Sequence, residues 1–63
     1  GRDKVHLNFL EISYGSLKES KYLLDFSFVE HYLIKSDYEV AVSLADRIGA
    51  MLWGMMRNLK PKT

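Results

Sequence analysis

The 63-residue sequence predicts an all-α fold, an antiparallel helical hairpin forming half of an up-down four-helix bundle. Three observations point there. Apolar residues recur at three- and four-residue spacing through two long stretches. The single proline, Pro61, lies beyond both. A connection of only a few residues separates them, and short connections make antiparallel neighbours. The chain is therefore one domain: a helix from about residue 4 to 30, a turn over 31–35, and a helix from about 36 to 59.

The first helix is the one around which the rest is organised. Asp3 is its expected N-cap, because a carboxylate can accept from free first-turn N–H groups and complements the positive end of the helix dipole. Turning the helix by ~100° per residue puts Phe9, Leu10, Leu17, Leu23 and Leu24 on one face with Ser13, Ser16, Ser20 and Ser27. Ile12, Gly15, Tyr22, Phe26 and Val29 form a second stripe beside it, and Glu11, Lys18, Lys21 and Asp25 form a polar strip. Gly15 costs ~1 kcal/mol relative to alanine inside a helix, so close packing is the expected reason for it. The serines either admit a close partner backbone or are merely tolerated. Leu7 and Tyr14, on the otherwise polar side, make a small candidate patch.

In the connection, His31 occupies a position where a helix end prefers Gly, and Tyr32, Leu33 and Ile34 are apolar enough to be expected to fold back onto the hairpin. Ser36-Asp37-Tyr38-Glu39 matches a capping box and predicts the start of the second helix. Tyr38, Ala41, Ala45, Ile48, Leu52, Met55, Met56 and Leu59 then mark its apolar side, widened by Leu44 and Met51. The expected packing sets Phe9, Ser13, Ser16, Leu17, Leu23 and Leu24 against Ala41, Ala45, Ile48, Leu52 and Met55. Met51 and Met55 are read as core filling rather than as an adaptable binding surface. Pro61 ends the helix near Leu59 or Lys60.

Two helices of ~24 residues, each about 36 Å long, leave at least one apolar stripe in water. A chain below ~70–80 residues seldom has a self-sufficient core, and without cysteines no disulfide can help. Oligomerisation is the expected solution, as a dimer closing a four-helix bundle or as a higher assembly. Its interface is expected at Ile12, Gly15, Tyr22, Phe26 and Trp53. Trp53, at the border of the polar side, suits a subunit contact or stacking platform, or the sealing of a bundle edge.

Chemistry is sparse. His6 and His31 are separated by about 37 Å of helix, too far to share a metal. No Glu-x-x-His arrangement of the kind found in di-iron bundles occurs, and nothing beside His31 in sequence looks like a nucleophile, so it reads as a turn residue rather than an acid or base. The expectation is a non-enzymatic protein with no catalytic residue, metal, cofactor or small-molecule substrate. The longest wholly apolar run is four residues, against ~20 for a membrane span, and with no signal-peptide pattern and no cysteine the protein is expected to be soluble and cytoplasmic. A first residue Gly1 in place of Met points to removal of an initiator, a tag or an N-terminal segment.

Net charge is only +1, but it is unevenly distributed. The hairpin brings Arg2, Lys4, Arg57, Lys60 and Lys62 to one end and Asp25, Glu30, Asp37 and Glu39 towards the other. A basic end can meet phosphate, yet Arg57 and Lys60 near a helix C-terminus also satisfy the helix dipole with no partner.

Phe9 to Leu24, FLEISYGSLKESKYLL, resembles the third helix of the bacterial four-helix-bundle proteins encoded by intervening sequences in large-subunit ribosomal RNA genes, whose pattern is close to F-L-x-I-A-x-G-S-L-x-E. Tyr32-Leu33, Tyr38, Asp46-Arg47-Ile48-Gly49, Met51-Leu52, Gly54-Met55 and Leu59-Lys60 are similar to that family's turn and fourth helix. The resemblance is to the family's second half, with Gly1-Arg2 at the end of the preceding linker. It implies a fold similar to the accessory protein of diversity-generating retroelements, ring-forming oligomers that are often pentamers, RNA or nucleoprotein as partner, and no enzymatic activity. Two departures from the pattern stand out: His31 replaces a usual Gly, and Ile34 a usual Ser cap, with Ser36 expected to take over the capping.

Overall fold

The structure is a computed structural model that describes residues 1–59. It is an antiparallel hairpin of two helices, α1 (Arg2–Val29) and α2 (Lys35–Leu59), packed along their length in a rod of 45 × 17 × 15 Å. Among the described residues there is no strand.

Both helices start earlier than the capping signals predict. Gly1 is the N-cap of α1 and makes no side-chain cap bond, so Asp3 lies inside the first turn, where it still complements the dipole. In α2 the Ile34 carbonyl accepts the first helical bond, from the Tyr38 N–H at 3.0 Å. Ser36 and Glu39 are thus within the first turns, and Glu39 lies 4.0 Å from the Lys35 ammonium instead of closing a capping box. The cause is the tightness of the preceding turn. Glu30 ends α1, the His31 N–H donates to the Phe28 carbonyl and the Tyr32 N–H to the Ser27 carbonyl, and His31 takes φ 66°. That is a Schellman motif with histidine in its left-handed position. It reverses the chain within Tyr32–Ile34, so Lys35 is already helical. Of the three apolar turn residues only Leu33 is partly covered; Tyr32 and Ile34 stay exposed.

The helices meet along a seven-residue repeat. Leu7, Leu10, Tyr14, Leu17, Lys21, Leu24 and Phe28 face Tyr38, Val42, Ala45, Gly49, Leu52, Met56 and Leu59, and every one of these positions is partly or fully buried. Alternating steps of three and four residues are the spacing of a coiled-coil seam. Small residues set the closest approach: a Cβ built on Gly49 would lie 3.3 Å from the Leu17 Cδ2.

This seam is rotated from the expected one. Phe9 and Leu23 are each 67% exposed and Ser16 is exposed, whereas Leu7 and Tyr14, expected on the polar side, line the contact. A wheel drawn at 100° per residue explains the error: a seven-residue repeat drifts ~20° per heptad against it, so Leu7 to Phe28 smear over roughly 60° and look like parts of different faces. On α2, Ile48, Met51 and Met55 are about half exposed or more, and Met56 is the buried methionine at 4% exposure. Core filling by Met51 and Met55 is therefore not seen within the hairpin. Among the described residues only Leu10, Ala45 and Met56 are buried, and none is fully enclosed. Gly15 has open space where its Cβ would be, so packing inside the hairpin does not require it.

Candidate association face and basic end

The two flanks of the seam differ in chemistry. Along one, cross-links join the helices from Tyr14 and Trp53 to the turn. Tyr14 and Trp53 lie with ring centroids 6.4 Å apart, and the Lys18 ammonium sits 5.0 Å from the centre of the Tyr14 ring. Farther along, Lys21 donates to and pairs with Asp46. Near the turn, the Tyr38 hydroxyl donates to Asp25 while its ring stacks on Phe28 at 4.4 Å. The hydrogen bond to Asp46 and its charge raise the Lys21 pKa, and the hydrogen bond to Asp25 raises that of Tyr38.

The other flank carries Phe9 and Leu23 from α1 and Leu44, Ile48, Met51 and Met55 from α2, all about half exposed or more. Between the ends of the rod it holds no charged residue, because the other helical positions flanking the seam on this side are Ser13, Ser16, Ser20 and Ser27 on α1 and Ala41 on α2. Two of the serines are turned back onto their own helix, Ser13 to the Phe9 carbonyl and Ser20 to the Ser16 carbonyl. Their hydroxyls are satisfied locally, and each adds little bulk to the face.

The expected interface residues are not all brought together. Ile12, Gly15, Tyr22 and Phe26 lie exposed on α1, Ile12 and Phe26 on its outer side in line with Glu19, away from the uncharged flank. Trp53, half exposed, is on the cross-linked flank beside Tyr14. The larger apolar face, reaching from Phe9 to Met55 across both helices, was hidden by the assignment of Phe9, Leu23, Ile48 and Met55 to the hairpin core. Its sequence signal is the absence of charge over two facing sectors, a feature that apolar periodicity alone does not rank.

At the open end of the hairpin, Arg2 and Lys4 sit in the first turn of α1 and Arg57 in the last turn of α2; Lys60 and Lys62 lie outside the described residues. Arg57 complements the negative end of its helix dipole, but Arg2 and Lys4 sit at the positive end of theirs, where the dipole opposes a cation. The helix dipole therefore explains one of the three. Asp3 is the acidic residue among them. An open cleft beside this end is lined by His6, Phe9, Leu10, Met55, Asn58 and Leu59.

Among the described residues no group of three His, Cys, Asp or Glu side chains is placed to hold a metal ion, and no helix is long and apolar enough to cross a membrane. No family model matches this chain. No curated protein and no solved structure matches it either.

Proposed function

We propose that the chain works without catalysing a reaction, as an oligomerising helical module that closes a four-helix bundle and offers its basic end to RNA or a nucleoprotein partner in the cytoplasm. The observation that carries the reading is the amount of apolar side chain left in water: among the described residues fifteen large apolar side chains are exposed, while Leu10 and Met56 are the large ones buried. A small protein with that ratio gains stability by covering the surplus with another chain. Arg2 and Lys4 support the RNA part, since two cations held at the wrong end of a helix dipole are stabilised by a phosphate beside them. The resemblance to intervening-sequence proteins points the same way, and it extends the range of assemblies from a dimer to a ring.

A purely structural module with no nucleic-acid role is the competing reading, and Arg57 favours it, being placed where a helix end wants a cation regardless of partner. Salt separates the two. Three phosphate contacts to single-stranded RNA give a slope near −2 in log affinity against log salt, which is roughly a twentyfold loss between 50 and 200 mM. Labelled RNA is titrated at both salt concentrations with Lys4→Glu and Arg57→Glu as controls. Binding that falls this steeply and is lost in the charge-reversed chains upholds the RNA role; equal binding by all three removes it.

A further inference from the structure

We infer that the uncharged flank of the hairpin, bearing Phe9, Leu23, Leu44, Ile48, Met51 and Met55, receives a second copy of this chain, and that the cross-linked flank faces solvent. The inference rests on the oligomeric reading above and names its surface and occupant.

Area gives the first reason. Monomers of 7.3 kDa expose about 4,200 Å² by the usual scaling of surface with mass. This chain exposes 5351 Å². The difference, about 1,200 Å², exceeds the ~800 Å² that each partner contributes to a stable interface of standard size. One matching face on a second copy is therefore enough to restore an ordinary surface.

Charge chooses both the face and the occupant. Docking against the other flank would strip water from Lys18, Lys21, Asp25 and Asp46, whose partners are already within the chain, and would gain little in return. The uncharged flank has no such cost. It offers no cation to a phosphate, which rules out RNA there, and its apolar side chains spread over two helices instead of forming one long span. A two-fold interface sets the same patch against itself, so any charge on it would meet its own copy. A patch with none is suited to self-pairing. The locally satisfied serines Ser13 and Ser20 leave no donor stranded when the face is covered.

Ser16 and Ala50 test the assignment, both being exposed within a single chain, one on each flank. Sedimentation velocity at micromolar concentration is run on the wild type, Ser16→Glu and Ala50→Glu, with helix content followed in parallel. The wild type and Ala50→Glu are expected to sediment as dimers, while Ser16→Glu, which buries a carboxylate twice across the two-fold, weakens association on the order of a hundredfold or more. Should Ser16→Glu unfold, the single-thiol variants Ser16→Cys and Ala50→Cys replace it in this cysteine-free chain. At a concentration well above the dissociation constant, Ser16→Cys is expected to react with a thiol reagent at least about tenfold more slowly than Ala50→Cys, and to speed up on dilution. A dimer disrupted by Ala50→Glu and not by Ser16→Glu, or equal thiol reactivity on both flanks, overturns the assigned face while leaving oligomerisation standing. A folded wild-type monomer overturns both.

Discussion

Replacing His31 with glycine should stabilise the protein, and the turn geometry gives the size of the effect. His31 has φ 66° at the left-handed position of the Schellman motif, where Cβ crowds the following carbonyl. An L-residue pays about 1–2 kcal/mol for that conformation, and glycine pays none. Glycine also widens the unfolded ensemble, which returns about 0.4–1 kcal/mol. The net expectation for His31→Gly is about 0.5–1 kcal/mol of added stability, or a rise in Tm of about 2–8 °C for a chain of this size. Urea and thermal unfolding followed by circular dichroism measure it, at one fixed protein concentration so that the proposed association does not shift the midpoint. His31→Val serves as the counter-test, since a β-branched residue fits the left-handed region worst and should destabilise the chain. A His31→Gly protein no more stable than wild type, or a His31→Val protein equal to it, would show that residue 31 is not left-handed.

Three further outcomes follow from the same geometry. Met56→Ala, at the best-covered site of the seam, should cost about 2–3 kcal/mol in urea unfolding, whereas Met51→Ala, 66% exposed, should leave the stability of the isolated hairpin within about 0.5 kcal/mol and act on association instead. Gly49→Val should destabilise more than Gly49→Ala, because the first added carbon meets only a flexible Leu17 methyl while branching drives atoms into the seam; a reversal of that order would contradict the close approach at Gly49. The pKa values of Lys21 and Tyr38 are both raised in the folded chain, so both groups bind their protons more tightly there than when unfolded. Their stabilisation is full below the unfolded values of 10.5 and 10.0 and is lost as pH rises through the folded ones. The check is Lys21→Met with Tyr38→Phe, which should flatten the loss of stability above pH ~10; an alkaline limb as steep as that of the wild type would contradict it.

The hairpin was legible in the sequence because its signals agree: long apolar periodicity, a short connection, and proline only past the second helix. The rotation of the helices about their axes was not. Leu7 and Tyr14 look polar-sided on a 100° wheel, yet they belong to a seam of 3.5-residue period that only a partner helix selects. Tyr14 lies beside Gly49 in that seam, and Leu17 makes the close approach there, 3.3 Å from where a Cβ would be. The same rotation released Phe9, Leu23, Ile48 and Met55 to the surface and enlarged the exposed apolar face. Ser36 and Glu39 carried the right letters for a cap, but the left-handed turn at His31 brought the chain into helix two residues too soon for them to act. The basic end was visible by counting, while the misfit of Arg2 and Lys4 with the helix dipole needed the observed start of α1.

Association through an apolar face is the central claim, and sedimentation equilibrium of the unmodified chain over nanomolar to micromolar concentration measures it most directly. The mass should rise reversibly with concentration to at least twice the 7.3 kDa of one chain, with no weakening when salt is raised. A helical protein that keeps the mass of a single chain across that range would contradict it.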